Sequence, residues 1–208
     1  MTECRGGRTA QRRAEPRRWA GCLRAPPARG TIRRASTLRA RFALGVTKII
    51  VNPYAGRWKA QAAIGAIEAA CARLAMPFEL EVTQYPDHGI ELAGQAVQAG
   101  CSPIVAAGGD GSISEVVNGL MRAGDGQTAP VPLGVIALGS ADDFADMLDL
   151  DKDVEAAVRT IQAGRLRKID LGCVNGRYFD NNSAIGLEPM VTLAQARARL
   201  CLSWTWPK

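Results

Sequence analysis

Histidine is almost absent from this chain of 208 residues, in which His88 is the only one. A Ser-His-Asp hydrolase would have to use that residue, and the sequence offers no Gly-x-Ser-x-Gly nucleophile elbow to accompany it. The six cysteines include no Cys-x-x-Cys pair, which disfavours a zinc site or a disulfide framework and favours reduced thiols. No apolar run reaches transmembrane length, and no apolar stretch near the start suits a secretory signal. These absences predict a cytoplasmic protein.

Charge is distributed unevenly along the chain, whose formal net charge is +6. Residues 1–45 contain twelve Arg but only Glu3 and Glu15 as acids, so this Arg-rich head carries +10 and leaves −4 for the rest. Its Arg, Ala, Pro and Gly content is typical of a disordered tail, which we predict for residues 1–45. The alternatives are a segment that contacts an anionic membrane, a transit peptide, or a translation start that was assigned too far upstream. No specific nucleic-acid partner is expected.

The most informative segment is Gly108-Gly109-Asp110-Gly111-Ser112. It follows the apolar run 104–107, which indicates a buried strand, and precedes apolar residues spaced as one face of a helix. Such a loop lets backbone N–H groups converge on a phosphate at the start of the helix. Ser112 and Glu115 fit a capping box and predict where the helix begins. The segment is neither a Walker A loop nor a complete Gly-x-Gly-x-x-Gly, and an ordinary tight turn is the alternative.

Strands and helices alternate from Val46 onward, which predicts an α/β fold: a parallel-sheet nucleotide-binding domain with helices on both faces. After Gly164, two apolar-alternating segments flank Asn175-Gly176 and predict a β-hairpin with a type I′ turn, the start of an antiparallel β domain. We therefore divide the chain into a tail (1–45), an α/β domain (46–164) and a partial second β domain (165–208). The predicted strands lie near 47–51, 78–83, 103–107, 132–137, 168–174 and 177–185, and the predicted helices near 59–74, 89–99, 112–122, 142–149 and 152–163.

Further motifs accompany the glycine-rich loop in a fixed order. They are Asn-Pro-x-x-Gly at 52–56, Thr-x-x-x-x-His at 83–88, Glu-Val-Val-Asn-Gly-Leu at 115–120, Gly-Ser-Ala-Asp-Asp-Phe-Ala at 139–145, and Ile-Asp-Leu-Gly at 169–172 with the segments 178–179 and 182–186. In these segments the chain resembles the diacylglycerol kinase catalytic-domain family, in its bacterial lipid kinase form. Ser112 replaces the usual threonine of that family and retains its hydroxyl. Asp142 stands where the family usually has asparagine and adds a carboxylate.

The resemblance implies an ATP-dependent and Mg²⁺-dependent lipid kinase that phosphorylates a lipid hydroxyl such as that of diacylglycerol. Asp110 would be the catalytic residue, orienting magnesium or the acceptor hydroxyl, and would share a magnesium network with Asp143 and Asp170. Because ligands bind beyond the carboxyl ends of parallel strands, the other matching residues would line one edge of the sheet. Glu115 is also a candidate helix cap, and His88 is expected to line a loop. The implied nucleotide-binding residues are Asn52, Pro53, Gly56, Thr83, Gly108, Gly109, Asp110, Gly111, Ser112, Glu115 and Ser140.

The resembled family has a second domain that supplies a catalytic aspartate from a later Gly-Asp-Gly-type motif. Residues 187–208 contain no such motif, so we expect the chain to bind nucleotide but to be incomplete as a lipid kinase. The open alternatives are an NAD kinase, a sphingoid-base kinase and a nucleotide-binding remnant without turnover. A lipid substrate is the expected partner. Peripheral contact with an anionic membrane and a homodimer are further expectations for the cytoplasmic protein.

Overall fold

The structure is a computed structural model that describes residues 45–181. Residues 1–44 of the Arg-rich head and the predicted segment 182–186 lie outside the described residues. The strands are β1 (Thr47–Val51), β2 (Phe78–Val82), β3 (Ile104–Gly108), β4 (Leu133–Ala137), β5 (Gly172–Val174) and β6 (Arg177–Phe179). The helices are α1 (Ala55–Arg73), α2 (His88–Gln98), α3 (Asp110–Ala123), α4 (Asp143–Met147) and α5 (Val154–Ala163).

The first four strands form one parallel sheet in the order β2-β1-β3-β4. Ile49 of β1 stands opposite Leu80 of β2 on one side and Val105 of β3 on the other. Every residue of β3 is buried, as expected for a central parallel strand that is covered on both faces. The predicted parallel sheet is thus confirmed, and all four carboxyl ends lie at the same edge.

Helices cover both faces of this sheet, because successive side chains of a strand point in opposite directions. On one face Ile50 belongs to a core cluster with Leu120 of α3, to which α2 also contributes. On the other face Ile49 packs in a cluster with Ile67 of α1 and Val158 of α5. Burial of each such side chain contributes about 1.5–3 kcal/mol to folding. The predicted helices on both faces are confirmed.

The strands β5 and β6 form a separate antiparallel two-stranded sheet. Asn175 and Gly176 have φ values of 51° and 78°, as the predicted type I′ turn requires. Among the described residues the ladder is shorter than predicted and runs from Gly172 opposite Phe179 to Val174 opposite Arg177, while residues 182–185 of the predicted second strand lie outside them. A side chain on Gly172 would overlap the Phe179 ring, so this end of the ladder is already closely packed.

The start of α1 is irregular, and α4 is shorter than predicted. In α1, residues 56–58 have positive φ, so the regular helix begins near the predicted residue 59 after a left-handed turn. Instead of spanning 142–149, α4 is limited to Asp143–Met147, because Asp142 (φ 60°) and Asp149 (φ 53°) leave the helical region at its two ends. Among residues 45–181, no helix is both long enough and apolar enough to cross a bilayer.

Candidate functional site

The glycine-rich loop joins the end of β3 to the start of α3. Gly108 is the last residue of β3, Gly109 is extended, and α3 begins at Asp110. The carbonyl of Gly109 accepts hydrogen bonds from the N–H groups of Ser112 (2.9 Å) and Ile113 (3.1 Å). The N–H groups that precede these in the first turn have no partner within the helix, and the helix dipole makes that end positive. The loop therefore has the geometry of an anion site.

This loop packs backbone to backbone against the loop that follows β4. A Cβ atom on Gly109 would lie 3.0 Å from the Cα atom of Gly139, and one on Gly139 would lie 2.6 Å from the Cα atom of Gly109. The N–H of Leu138 also donates to the carbonyl of Gly108 at 2.9 Å. A Cβ atom on Gly111, in contrast, would meet nothing within 4 Å. The first turn of α3 therefore has open space beside its backbone.

The loop after β1 reaches the same edge. The N–H of Asn52 donates to the carbonyl of Ala107 (3.1 Å), and its Oδ1 accepts from the N–H of Tyr54 (3.1 Å), which forms a tight turn around the buried Pro53. Gly56 has a φ of 58°, and a side chain on it would overlap the carbonyl of Leu138. The loops after β1, β3 and β4 thus converge, as the predicted site requires.

Two other predicted residues lie at this edge with different exposure. Thr83 follows β2, is 7% exposed, and donates its N–H to the carbonyl of Val51 at 2.8 Å. Ser140 follows Gly139 and is exposed. Thr83 is therefore part of the packed wall, whereas the Ser140 hydroxyl is open to a ligand.

Asp110 and Asp142 both bind backbone N–H groups of this edge. The Oδ1 of Asp110 accepts from the N–H of Phe144 at 2.9 Å, which ties α3 to the start of α4. The Oδ1 of Asp142 accepts from the N–H of Gly139 at 2.7 Å, and the side chain is buried. The additional carboxylate found at 142 in the sequence therefore closes the loop after β4.

Glu115 caps a helix, but the capping box predicted with Ser112 does not form. The N-cap of α3 is Gly109, so Ser112 lies inside the first turn with its hydroxyl against Gly108. The two carboxylate oxygens of Glu115 accept instead from the N–H groups of Asp87 (3.1 Å) and Gly89 (3.0 Å), where α2 begins. The prediction failed because the partners are far away in sequence, whereas the capping-box pattern is local.

His88 is the first residue of α2, and its side chain lines the loop that precedes the helix. Its Nδ1 accepts from the N–H of Gln84 at 3.1 Å, and its ring stacks on that of Tyr85 with centroids 4.3 Å apart. The Tyr85 hydroxyl donates to Glu91 at 2.8 Å, and this hydrogen bond raises the pKa of Tyr85. These contacts give His88 a structural role in holding the turn.

The sequence assigned no role to Asn118, yet its side chain holds the hairpin against α3. Its side chain is fully buried, and Nδ2 donates to the carbonyls of Ser114 and Tyr178, both at 2.8 Å. Its Oδ1 accepts from the N–H of Tyr178 at 2.9 Å. We call these two bonds to the Tyr178 backbone the Asn118 clasp. The sequence did hold one signal for this role, because asparagine is disfavoured inside a helix and Asn118 lies in a predicted one.

Asp180 was likewise not predicted from the sequence as a functional residue. Its Oδ2 is buried and has no hydrogen-bond partner among the described residues. Burial raises the pKa of Asp180, and the negative charge of Asp110 raises it further. A carboxylate that follows the hairpin therefore lies within electrostatic range of the glycine-rich loop.

The structure does not bring the three predicted metal ligands together. Asp143 and Asp170 are exposed, and within residues 45–181 no three acidic, histidine or cysteine side chains converge on one point. Mg²⁺ is commonly held by one or two carboxylates together with substrate phosphates and water, rather than by an all-protein cage. Asp110 at the head of α3 fits that smaller requirement. The network of Asp110, Asp143 and Asp170 stays a prediction.

Comparison with known proteins gives consistent matches. Residues 47–174 match the family model of the diacylglycerol kinase catalytic domain. A Chromohalobacter salexigens protein named "Probable lipid kinase YegS-like" is 34% identical over 149 residues, which cover 71% of this chain and 46% of that protein. The diacylglycerol kinase of Bacillus subtilis is 37% identical over 142 residues, which cover 64% of this chain and 43% of the relative. The chain thus spans somewhat less than half the length of these relatives.

A solved structure shows the same fold. The crystal structure of a diacylglycerol kinase from Bacillus anthracis superposes with a TM-score of 0.56 over 65% of this chain and 45% of the other, at 23% sequence identity. At that identity the likeness concerns the arrangement of strands and helices.

Proposed function

The chain belongs to the diacylglycerol kinase catalytic domain family, and from that premise we propose that it binds ATP with Mg²⁺ as the phosphate-donor site of a lipid kinase. The proposed acceptor is a lipid hydroxyl such as that of diacylglycerol, which would make the protein a transferase of phospholipid biosynthesis. In this proposal residues 46–164 bind the nucleotide, and the hairpin begins the second domain. Lipid access implies peripheral contact with a membrane.

The observation that carries this proposal is the open first turn of α3 between the converging loops. Phosphoryl transfer needs positioned phosphates and neutralised charge more than covalent chemistry from the protein. The Gly109 and Gly139 backbones fix the loop, while the space beside Gly111 admits a phosphate close to the N–H groups at the start of α3. The carboxyl edge of a parallel sheet is also where such folds bind nucleotides.

The remaining predicted residues take supporting roles in this proposal. Asn52 and Gly56 shape the wall beside the phosphates, and the Ser140 hydroxyl binds the nucleotide from the loop after β4. Asp110 orients the metal or the acceptor hydroxyl with the oxygen that Phe144 does not use. Mg²⁺ bound there would neutralise charge on the phosphates. Thr83 and Glu115 support the site through their backbone contacts.

Calorimetric titration with ATP, with and without Mg²⁺, tests the donor site in the Gly111→Ala variant. The added methyl group meets no protein atom and alanine is the better helix former, so the melting temperature should stay unchanged or rise slightly. In this proposal the methyl group occupies the space through which a phosphate reaches the backbone. We expect about a tenfold or greater loss of affinity for Mg·ATP, which corresponds to about 1.4 kcal/mol or more. Gly65→Ala is the matched control, because a Cβ atom on Gly65 of α1 also meets nothing within 4 Å. Equal affinity in Gly111→Ala and wild type would contradict the phosphate site.

A radiolabelled-ATP assay with diacylglycerol in mixed micelles tests the acceptor. Phosphatidic acid whose formation depends on Asp110 would support a lipid kinase. Transfer of the label to NAD or to a sphingoid base instead would contradict the proposed acceptor. Asp110→Asn is the variant of choice, since its Oδ1 can still accept from the N–H of Phe144 while the charge is removed.

A further inference from the structure

Lys152 is the single basic residue in an acidic stretch of the chain beside the proposed donor site. Residues 142–153 contain six aspartates and no other basic side chain. The stretch begins with Asp142 and Asp143, shortly after the exposed Ser140 of the loop that follows β4. Such a concentration of negative charge repels a phosphate unless a cation lies close to it. Lys152 is the residue of this stretch that can supply the cation.

The backbone after α4 folds back and brings Lys152 to the loop that follows β4. Asp149 has a φ of 53°, and the N–H of Leu150 then donates to the carbonyl of Ala145 at 2.9 Å. The Leu150 side chain packs against the core, which fixes this return of the chain. The Nζ of Lys152 donates to the carbonyl oxygen of Ala141 at 3.5 Å, so the ammonium group reaches the loop itself.

The same ammonium group is also bound to α4. It lies 2.7 Å from Oδ1 of Asp146, in an ion pair whose side chains are 42% and 60% exposed, so a ligand can reach it. The hydrogen bond with Asp146 raises the pKa of Lys152, and the negative charges of Asp142 and Asp110 add to that effect. The start of α4 is tied to the glycine-rich loop, because the N–H of Phe144 donates to Asp110 at 2.9 Å. Two separate contacts thus connect Lys152 to both loops of the proposed donor site.

We propose that Lys152 binds a phosphate group of the nucleotide and that Asp146 holds its ammonium group in place until the phosphate arrives, an assignment that rests on the proposed function. Ser140 directly precedes Ala141, so a phosphate beside the Ser140 hydroxyl comes close to the ammonium group. Lysine is a compact charge on a flexible chain, and it can exchange one anion for another while the backbone stays in place. Because a nucleotide phosphate chain carries more negative charge than one carboxylate, the exchange favours the nucleotide.

A pair of variants with opposite expected effects tests the assignment by calorimetric titration of the full chain with Mg·ATP. Lys152→Gln removes the cation, whereas Asp146→Asn removes its resident partner and leaves the cation available. Arg159→Gln is the matched control, since it removes a positive charge from another exposed ion pair, 2.8 Å from Glu155 on α5. Because every variant retains the Arg-rich head, any attraction of that head for phosphates is the same in all of them.

We expect Lys152→Gln to bind Mg·ATP about three- to tenfold more weakly than wild type, because a charge-assisted contact is lost. Asp146→Asn should bind it as tightly as wild type or more tightly, and Arg159→Gln should stay within about twofold of wild type. The melting temperatures without ligand should lie within about 2 °C of wild type, since exposed ion pairs contribute little to stability.

A purely structural ion pair would be broken by both variants alike. An equal loss of affinity in Lys152→Gln and Asp146→Asn would therefore overturn the assignment, and so would wild-type affinity in Lys152→Gln. If Gly111→Ala still lost affinity in that case, the proposed donor site would stand and only the role of Lys152 would be refuted. A wild-type chain that binds no nucleotide would refute the proposed function and this assignment together.

Discussion

Replacing Glu115 by alanine should weaken the fold without weakening nucleotide binding. Both carboxylate oxygens accept backbone N–H groups where α2 begins, from Asp87 at 3.1 Å and from Gly89 at 3.0 Å. The N-cap residue of α2, Asp87, has a φ of 64°, and its own side chain makes no capping hydrogen bond. Glu115 therefore supplies from α3 the cap that α2 lacks.

The expected loss of stability follows from these two contacts. A hydrogen bond to a charged group contributes about 1.5–3 kcal/mol, and a negative charge at a helix N-terminus adds about 0.3–1 kcal/mol. Glu115 is half-buried, and water reaches the freed N–H groups after truncation, so the total for Glu115→Ala should be about 2–3 kcal/mol. For a chain of this size that corresponds to a melting temperature lower by about 4–12 °C. Glu115→Gln keeps one acceptor and should lose about half as much free energy.

Thermal unfolding followed by circular dichroism measures the loss, and calorimetric titration with Mg·ATP well below the melting temperature measures binding. Glu68→Ala serves as the control, since it truncates the same residue type on the exposed face of α1. A melting temperature within about 1 °C of wild type would refute the capping role, since a lost cap typically costs about 1 kcal/mol or more. A tenfold loss of affinity in folded Glu115→Ala would identify Glu115 as a ligand.

Asn118→Asp should destabilise the chain by about 3 kcal/mol or more in urea unfolding, because the new oxygen would face the carbonyls of Ser114 and Tyr178 in a fully buried site. Stability equal to wild type would exclude the Asn118 clasp. Burial lowers the pKa of Lys48, but hydrogen bonds and charges from the glutamates of β2, chiefly Glu81 at 2.8 Å, outweigh it and raise the pKa above its usual value. That stability is present below the unfolded pKa of about 10.4 and is lost as the pH rises through the higher folded pKa, so wild type should lose stability more steeply than Lys48→Met above about pH 10; parallel profiles would contradict the pairing.

The sheet could be predicted closely from the sequence because its signals are local. The apolar run 104–107 followed by glycine indicated β3, and the structure ends that strand at Gly108. The left-handed start of α1 could not be predicted from the local sequence, since Gly56 lies there against the carbonyl of Leu138, which is far away in the chain. Likewise α4 begins one residue later than predicted because Asp142 turns back to bind the N–H of Gly139. Both departures depend on contacts with the loop after β4.

The candidate site shows the same contrast between local signals, which could be predicted, and long-range contacts, which could not. The convergence of the loops after β1, β3 and β4 could be predicted, because parallel strands bring their carboxyl ends to one edge. The partners of Glu115 could not, since Asp87 and Gly89 lie 28 and 26 residues away in the chain. The clasp of Asn118 spans 60 residues, and Asp180 stands out only once its burial is known. Nucleotide binding by these residues, and the domain boundaries, stay predictions.

The polar side chains of α3 explain why this helix can set the geometry of the edge. Asp110 binds the start of α4, Glu115 binds the start of α2, and Asn118 binds the hairpin, while the apolar face of the helix lies in the core. The backbone of Tyr178 presents an N–H and a carbonyl that must both be satisfied when buried. An amide side chain offers a donor and an acceptor together, so asparagine meets that requirement where an apolar residue of similar size would leave both groups unpaired. A helix tied to three neighbours keeps its first turn in one place, and a phosphate site built from backbone N–H groups depends on that rigidity.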